Sequence, residues 1–128
     1  MAIINRELKA TLLHEVTLYP VITLLGPRQS GKTTLVRKCF PNYAYVNLED
    51  RQSREIALND ERKFFSLYPP PVIIDEIQRV PTLTSYVQVL VDANRDRMGA
   101  FILTGSQQPK LAEAVSQSLA GRDRKSVV

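Results

Sequence analysis

The chain has 128 residues, 44% of them apolar and 23% charged, which is the composition of one globular domain able to bury a core. That balance excludes a disordered chain, and no apolar run approaches the roughly 18 residues that cross a bilayer. The formal net charge is +4, but it is scattered. Residues 1–40 hold six Lys/Arg against two acids, 41–80 five against seven, and 81–128 six against four. No basic stripe follows from this, so charge gives only weak support for a nucleic-acid partner. The N-terminus MAIINRELKA lacks the basic start and apolar block of a secretory signal. A single cysteine, Cys39, excludes an internal disulfide and suits a reducing cytoplasm.

Along the chain, Ile4, Leu8, Leu12, Leu13 and Val16 recur about every four residues and predict an amphipathic helix within residues 1–18. His14 falls off its apolar stripe and reads as a solvated histidine. After Pro20, Val21 to Leu25 is a short β-branched run bounded by Gly26, a buried strand. Lys32 to Cys39 follows as a helix stopped by Pro41, with Cys39 as a small core residue. Tyr43 to Leu48 reads as a second strand, and 51–68 as helical cover carrying Ile56, Leu58, Phe64, Phe65 and Leu67. Three prolines at 69–71 launch Val72-Ile73-Ile74, a third strand. Leu83, Tyr86, Val87, Leu90 and Val91 have helical spacing. Gly99 closes that element before a fourth strand, Ala100 to Leu103. Leu111, Ala114, Val115 and Leu119 mark a last helix closed by Gly121. Strands alternating with helices imply an α/β fold with a parallel sheet covered on both faces.

Residues 26–33, GPRQSGKT, match G-x-x-x-x-G-K-[ST] without a gap. Gly26 and Gly31 permit backbone turns closed to residues with a Cβ, so that the N–H groups of Arg28, Gln29 and Ser30, in the loop with Pro27, can turn inward around an anion. Proline lacks the donor, so Pro27 contributes shape only. A helix opening at Lys32 adds unpaired N–H groups, extending to Thr33 and Thr34, and a positive dipole end. The Lys32 ammonium suits β- and γ-phosphates, and the Thr33 hydroxyl suits Mg²⁺. The third strand runs into Asp75-Glu76, placing Asp75 to hold the metal with Thr33 and Glu76 to polarise an attacking water. The fourth strand ends in Thr104-Gly105-Ser106. There Ser106 can sense the terminal phosphate, and Ser106 or Gln107 can cap the next helix.

The series GPRQSGKTTL, VIIDEIQRVP, FILTGSQQ and SLAGR resembles the AAA-type ATPases, over roughly residues 4–122. It is most similar to prokaryotic ATP-binding proteins in which such a core precedes a separate C-terminal domain. The resemblance implies a three-layer α/β/α P-loop NTPase with strand order 5-1-4-3-2, ATP and Mg²⁺ as ligands, and work within a homo-oligomer or larger assembly. It also implies catalytic roles for Lys32, Glu76 and Ser106, and for Arg122 a reach to a neighbouring subunit's γ-phosphate. Only four strands are counted before Arg122. The expectation is therefore a truncated core: residues 21–122 bind nucleotide, 123–128 form a basic tail, the fifth strand is missing or incomplete, and the first strand has an exposed edge. Two other readings share these motifs, a non-catalytic nucleotide-binding module and a P-loop phosphotransferase.

Overall fold

The computed structural model describes residues 2–27 and 31–127, with side chains from Arg6 and as far as Ser126. Helix α1 spans Ala2–Glu15, followed by strand β1 (Val21–Leu25) and helix α2 (Lys32–Cys39). Strand β2 (Ala44–Asn47) leads to α3 (Arg51–Asn59) and α4 (Glu61–Leu67). Strand β3 (Val72–Asp75) passes through a 3₁₀ turn (Ile77–Arg79) into α5 (Leu83–Ala93). Strand β4 (Phe101–Gly105), α6 (Pro109–Leu119) and β5 (Asp123–Val127) complete the order. The polar-then-aromatic stretch after β2 resolves into two helices because Asp50 and Asp60 each cap one, accepting from the backbone N–H of Ser53 and Lys63 at 3.0 Å. Helix α5 stops at Ala93, six residues before Gly99.

The five strands form one sheet in the order β2-β3-β4-β1-β5, and every pairing is parallel. Strand β4 thus lies between β1 and β3, with Leu25 opposite Gly105. The expectation for the chain's end is corrected here. Residues 123–127 are not a tail but a fifth strand, in register with β1 from Val21↔Asp123 to Leu25↔Val127. Three of its residues are charged, a composition that argues against a buried strand. Asp123 nevertheless accepts a 2.8 Å hydrogen bond from the Thr23 hydroxyl, and Arg124 reaches Glu15 on α1 at 3.1 Å. Charged side chains are what a sheet edge tolerates. Consequently β1 is an interior strand, not an exposed edge. Partial burial raises the Asp123 carboxyl above the usual carboxylate range, with the Thr23 bond and Lys125 opposing it.

Two-residue alternation divides the core. Val21, Leu25, Val46, Val72, Ile74, Phe101 and Leu103 point to the face covered by α3 to α6. Ile22, Leu24, Ile73 and Ile102 point to the other, where Leu12 of α1 and Val36 of α2 pack. On α1, Leu12 is buried while Leu13 is 43% exposed, so the predicted stripe is narrower than its sequence suggests. His14 is exposed, as its position off the stripe predicts. Cys39 packs partly buried at the edge of the second cluster. Among the described residues no helix is long and apolar enough to cross a membrane.

Candidate functional site

The C-terminal ends of β1, β3 and β4 lie side by side, and each carries polar residues at its tip. Such strand ends are where open α/β sheets bind ligands. After β1, the Gly26 N–H still donates to the Gly105 carbonyl at 3.1 Å, so the loop leaves the sheet beside β4. Arg28, Gln29 and Ser30 lie outside the described residues. The loop ends at Gly31, which has φ 82°; a side chain there would meet nothing within 4 Å. Glycine is therefore needed for its backbone angle rather than for space. Its carbonyl accepts the first helical bond, from the Leu35 N–H at 3.0 Å, and α2 begins at Lys32 with its N-terminus at the loop.

Lys32 is only 3% exposed, and its ammonium donates to the Pro27 carbonyl at 3.0 Å. One hydrogen bond occupies one of the three ammonium protons. The lysine thus turns back toward Pro27, and a buried cation is costly unless an anion or several acceptors meet it. Next to it, the Thr33 hydroxyl donates to Asp75 Oδ2 at 3.0 Å. This contact joins the loop to the acid at the end of β3, across 42 residues of sequence.

Asp75 is held by four donors. Oδ1 accepts from the Thr104 hydroxyl at 2.5 Å and from the Glu76 N–H at 3.0 Å. Oδ2 accepts from Thr33 and from the Tyr45 hydroxyl at 2.7 Å. An ionised carboxylate offers about four acceptor positions, and all are used. Burial pushes the Tyr45 phenol well above its ordinary range, reinforced by its hydrogen bond to, and the charge of, Asp75 and opposed by Arg37. The geometry follows from strand periodicity. Tyr45, Ile73, Asp75, Ile102 and Thr104 all fall on the α2 face, and Asn47 pairs with Asp75, which sets Tyr45 one ring length behind the carboxylate. The two oxygens of Thr33 and Asp75 suit a small hard cation that keeps most of its water. No cluster of three or more His, Cys, Asp or Glu able to hold a metal ion occurs among the described residues, so water and phosphate oxygens would have to supply the rest of its shell.

Glu76 takes a left-handed backbone conformation, φ 60° and ψ 46°, the one described non-glycine residue with positive φ. Such a conformation costs about 1–3 kcal/mol and is held by its surroundings. Two contacts hold it here. The Gln78 amide donates to Glu76 Oε2, and Gln78 Oε1 accepts from the Ser106 N–H at 3.1 Å. Gln78 thereby ties the carboxylate to the tip of β4. Ser106 enters the site through its backbone. It is Thr104, two residues earlier, whose hydroxyl reaches the acid pair. Neither Ser106 nor Gln107 caps α6, whose N-cap is Gln108 without a side-chain bond.

The approach of Gln78 depends on Gly105. A Cβ at that position would lie 2.6 Å from Gln78 Oε1 and 3.1 Å from the Ile77 Cγ2. Gly105→Ala is therefore expected to displace Gln78 and release Glu76, at a stability cost of about 1–3 kcal/mol. Chemical denaturation checks the stability, and any catalysis assigned to Glu76 is expected to fall with it.

Arg122 lies elsewhere. It precedes β5 at the opposite, N-terminal end of the strands, beside Pro20, Ala120 and Gly121. Its guanidinium makes a two-pronged bond to Asp92, Nε to Oδ1 at 2.8 Å and one terminal nitrogen to Oδ2 at 3.0 Å. That bond draws the Asp92 carboxyl below its usual range. Arg122 does not enter the strand-tip site of its own chain.

Sequence reasoning missed Tyr45, Thr104 and Gln78. For Thr104 the signal was present, since it shares a face with Ile102 on a strand neighbouring Asp75. Tyr45 needed the pairing of β2 with β3, and Gln78 needed the unusual backbone of Glu76.

Comparison with known proteins places this arrangement. The chain is 38% identical over 126 residues to an uncharacterized protein of Mycobacterium bovis and, to the same extent, to one of Mycobacterium tuberculosis. The match covers 95% of this chain and 28% of each relative, so the chain spans little more than a quarter of their length. The AAA domain family matches residues 18–128, from the end of the first helix through all five strands. The chain belongs to the AAA domain family, an ATPase-like α/β domain whose parallel sheet has the order 2-3-4-1-5.

Proposed function

We propose that this domain binds ATP with Mg²⁺ at the Gly26–Thr33 loop and hydrolyses it. The observation that carries the reading is the 3.0 Å bond between the Thr33 hydroxyl and Asp75. It brings the glycine-rich loop, the helix N-terminus and the acidic strand end into one site. Thr33 and Asp75 would hold the magnesium ion in exchange for their mutual hydrogen bond, and the ion when bound neutralises charge on the transferred phosphoryl group. Lys32 and the N-terminal N–H groups of α2 bind the β- and γ-phosphates. Arg28, Gln29, Ser30 and Thr34 belong to the same cradle by sequence position. Glu76 accepts a proton from water as its oxygen attacks the γ-phosphorus. The bond from phosphorus to the β,γ-bridging oxygen breaks, giving ADP and inorganic phosphate.

The Gln78 bond ties Glu76 to the tip of β4 through the Ser106 N–H, and Thr104 holds Asp75 beside it. Arg122 joins this reading only in trans. It would have to leave Asp92 and reach a neighbouring copy, so its part in turnover requires a homo-oligomer. Phosphate release from ATP tests the reading: it is expected with Mg²⁺ and lost on chelation. Tight ATP binding with no release at any protein concentration would make the domain a nucleotide-binding module instead. Faster transfer to an added acceptor than to water would make it a phosphotransferase.

A further inference from the structure

The two faces of the sheet are not covered equally. Four helices pack on one, whereas α1 and α2 alone build the core on the other. At the β2 edge of that second face lies a cleft of about 470 Å³, within the range of small-ligand sites. Tyr43, Tyr45 and Ile73 form its floor, and Thr33, Thr34, Arg37 and Lys38 of α2 form its wall, so that it opens beside the loop site at Thr33. Its described lining contains two cations and no acid. Both cations are exposed, and neither forms an ion pair among the described residues. The Arg37 guanidinium lies 4.1 Å over the centre of the Tyr45 ring, and both residues line the cleft.

Basic residues in the last turn of α2 are accounted for in part by the helix dipole. The dipole does not account for an arginine lying over a half-buried tyrosine at the β2 edge of the sheet. We propose that this cleft binds a nucleotide unit of single-stranded nucleic acid, with phosphates on Arg37 and Lys38 and a base against the Tyr45–Arg37 stack. Consecutive exposed cations beside an aromatic floor are the elements of single-strand binding, in which charge follows the backbone and rings receive bases. Arginine planes and tyrosine rings both stack on unpaired bases. A duplex keeps its base faces stacked inside, so none is free to lie against the tyrosine. An acidic peptide would use the cations and leave the tyrosine floor idle. The proposal stands on the cleft and does not rest on ATP hydrolysis. The floor nevertheless adjoins that site, because the Tyr45 hydroxyl donates to Asp75 at 2.7 Å.

Fluorescence anisotropy of a short labelled oligothymidine with the whole chain tests it. Saturable binding is expected, with log affinity falling against log salt at about −0.7 per neutralised phosphate, so roughly −1.4 for two cations. The Arg37→Ala/Lys38→Ala double variant is expected to weaken binding by about tenfold or more and to retain the wild-type melting profile. Should it fail to fold, Arg37→Glu, at an exposed position, carries the same expectation. Lys32→Ala should leave oligonucleotide affinity unchanged, because that lysine belongs to the loop. Thymidine monophosphate, duplex DNA and polyglutamate, each at matched charge, should compete poorly. The proposal is overturned by no saturable binding, by undiminished binding in the variants, or by dependence on Lys32. Equal competition from the mononucleotide, the duplex or the polyglutamate overturns it as well.

Discussion

Replacing Glu76 by glutamine is expected to lower ATP turnover by about 10²–10⁴-fold while leaving nucleotide affinity unchanged. The two side chains have nearly the same shape, and the glutamine carbonyl can still accept from Gln78, the bond that Glu76 Oε2 accepts now. The left-handed backbone at position 76 is as accessible to glutamine as to glutamate. What is lost is the capacity to take a proton from water. Steady-state phosphate release alongside fluorescent-nucleotide binding separates the two effects. Unchanged turnover would place the base on another residue.

Asp75→Asn is expected to reduce Mg²⁺-dependent turnover at least as severely and to destabilise the fold by about 1–3 kcal/mol. Four donors converge on the carboxylate: the hydroxyls of Thr33, Tyr45 and Thr104 and the Glu76 N–H. An amide replaces one accepting oxygen with an N–H₂ group; placed at Oδ2, away from the fixed Glu76 N–H, it leaves the Thr33 and Tyr45 hydroxyls without their acceptor. The charge that suits a hard cation disappears as well. The neighbouring phenol gives a second readout. Its raised folded-state value stems first from burial and then from Asp75, so the asparagine variant should ionise Tyr45 at lower pH, visible as tyrosinate absorbance. The sign for stability is fixed by linkage. A tyrosine whose folded pKa is raised contributes fully below its ordinary value of 10.0, and that contribution declines as pH rises beyond it. Denaturation midpoints measured through that alkaline range should fall less steeply in Asp75→Asn than in the wild type.

Much of this architecture could be read from residues alone, for a physical reason. Buried parallel strands must be apolar on both faces, so Val21–Leu25, Val72–Ile74 and Phe101–Leu103 stand out, and glycines and prolines bound them. The loop was legible because its function constrains backbone angle and charge at fixed spacing, as Gly31 shows. Strand β5 was not. Its sequence, DRKSV, is polar because one edge of it faces solvent, and only pairing with β1 makes it a strand. The site divides the same way. Lys32, Thr33, Asp75 and Glu76 announce themselves by type and spacing. Thr104 and Tyr45 acquire their roles only through register, and Gln78 through a backbone conformation that no local pattern encodes. Arg122 illustrates the converse. Its sequence position suggested a part in phosphate chemistry, whereas its observed partner is Asp92 at the other end of the sheet.

Lys32 is buried with the Pro27 carbonyl as its acceptor, a poor match for a full positive charge, and a polyphosphate is the ligand that would complete it. Isothermal calorimetry of Mg–ATP with the wild type and with Lys32→Ala, both shown to be folded, tests this most directly. Saturable heat in the wild type and an affinity at least about 100-fold weaker in the variant, a loss of about 2.7 kcal/mol, is the predicted result. No heat in the wild type, or equal affinity in the two proteins, would contradict it.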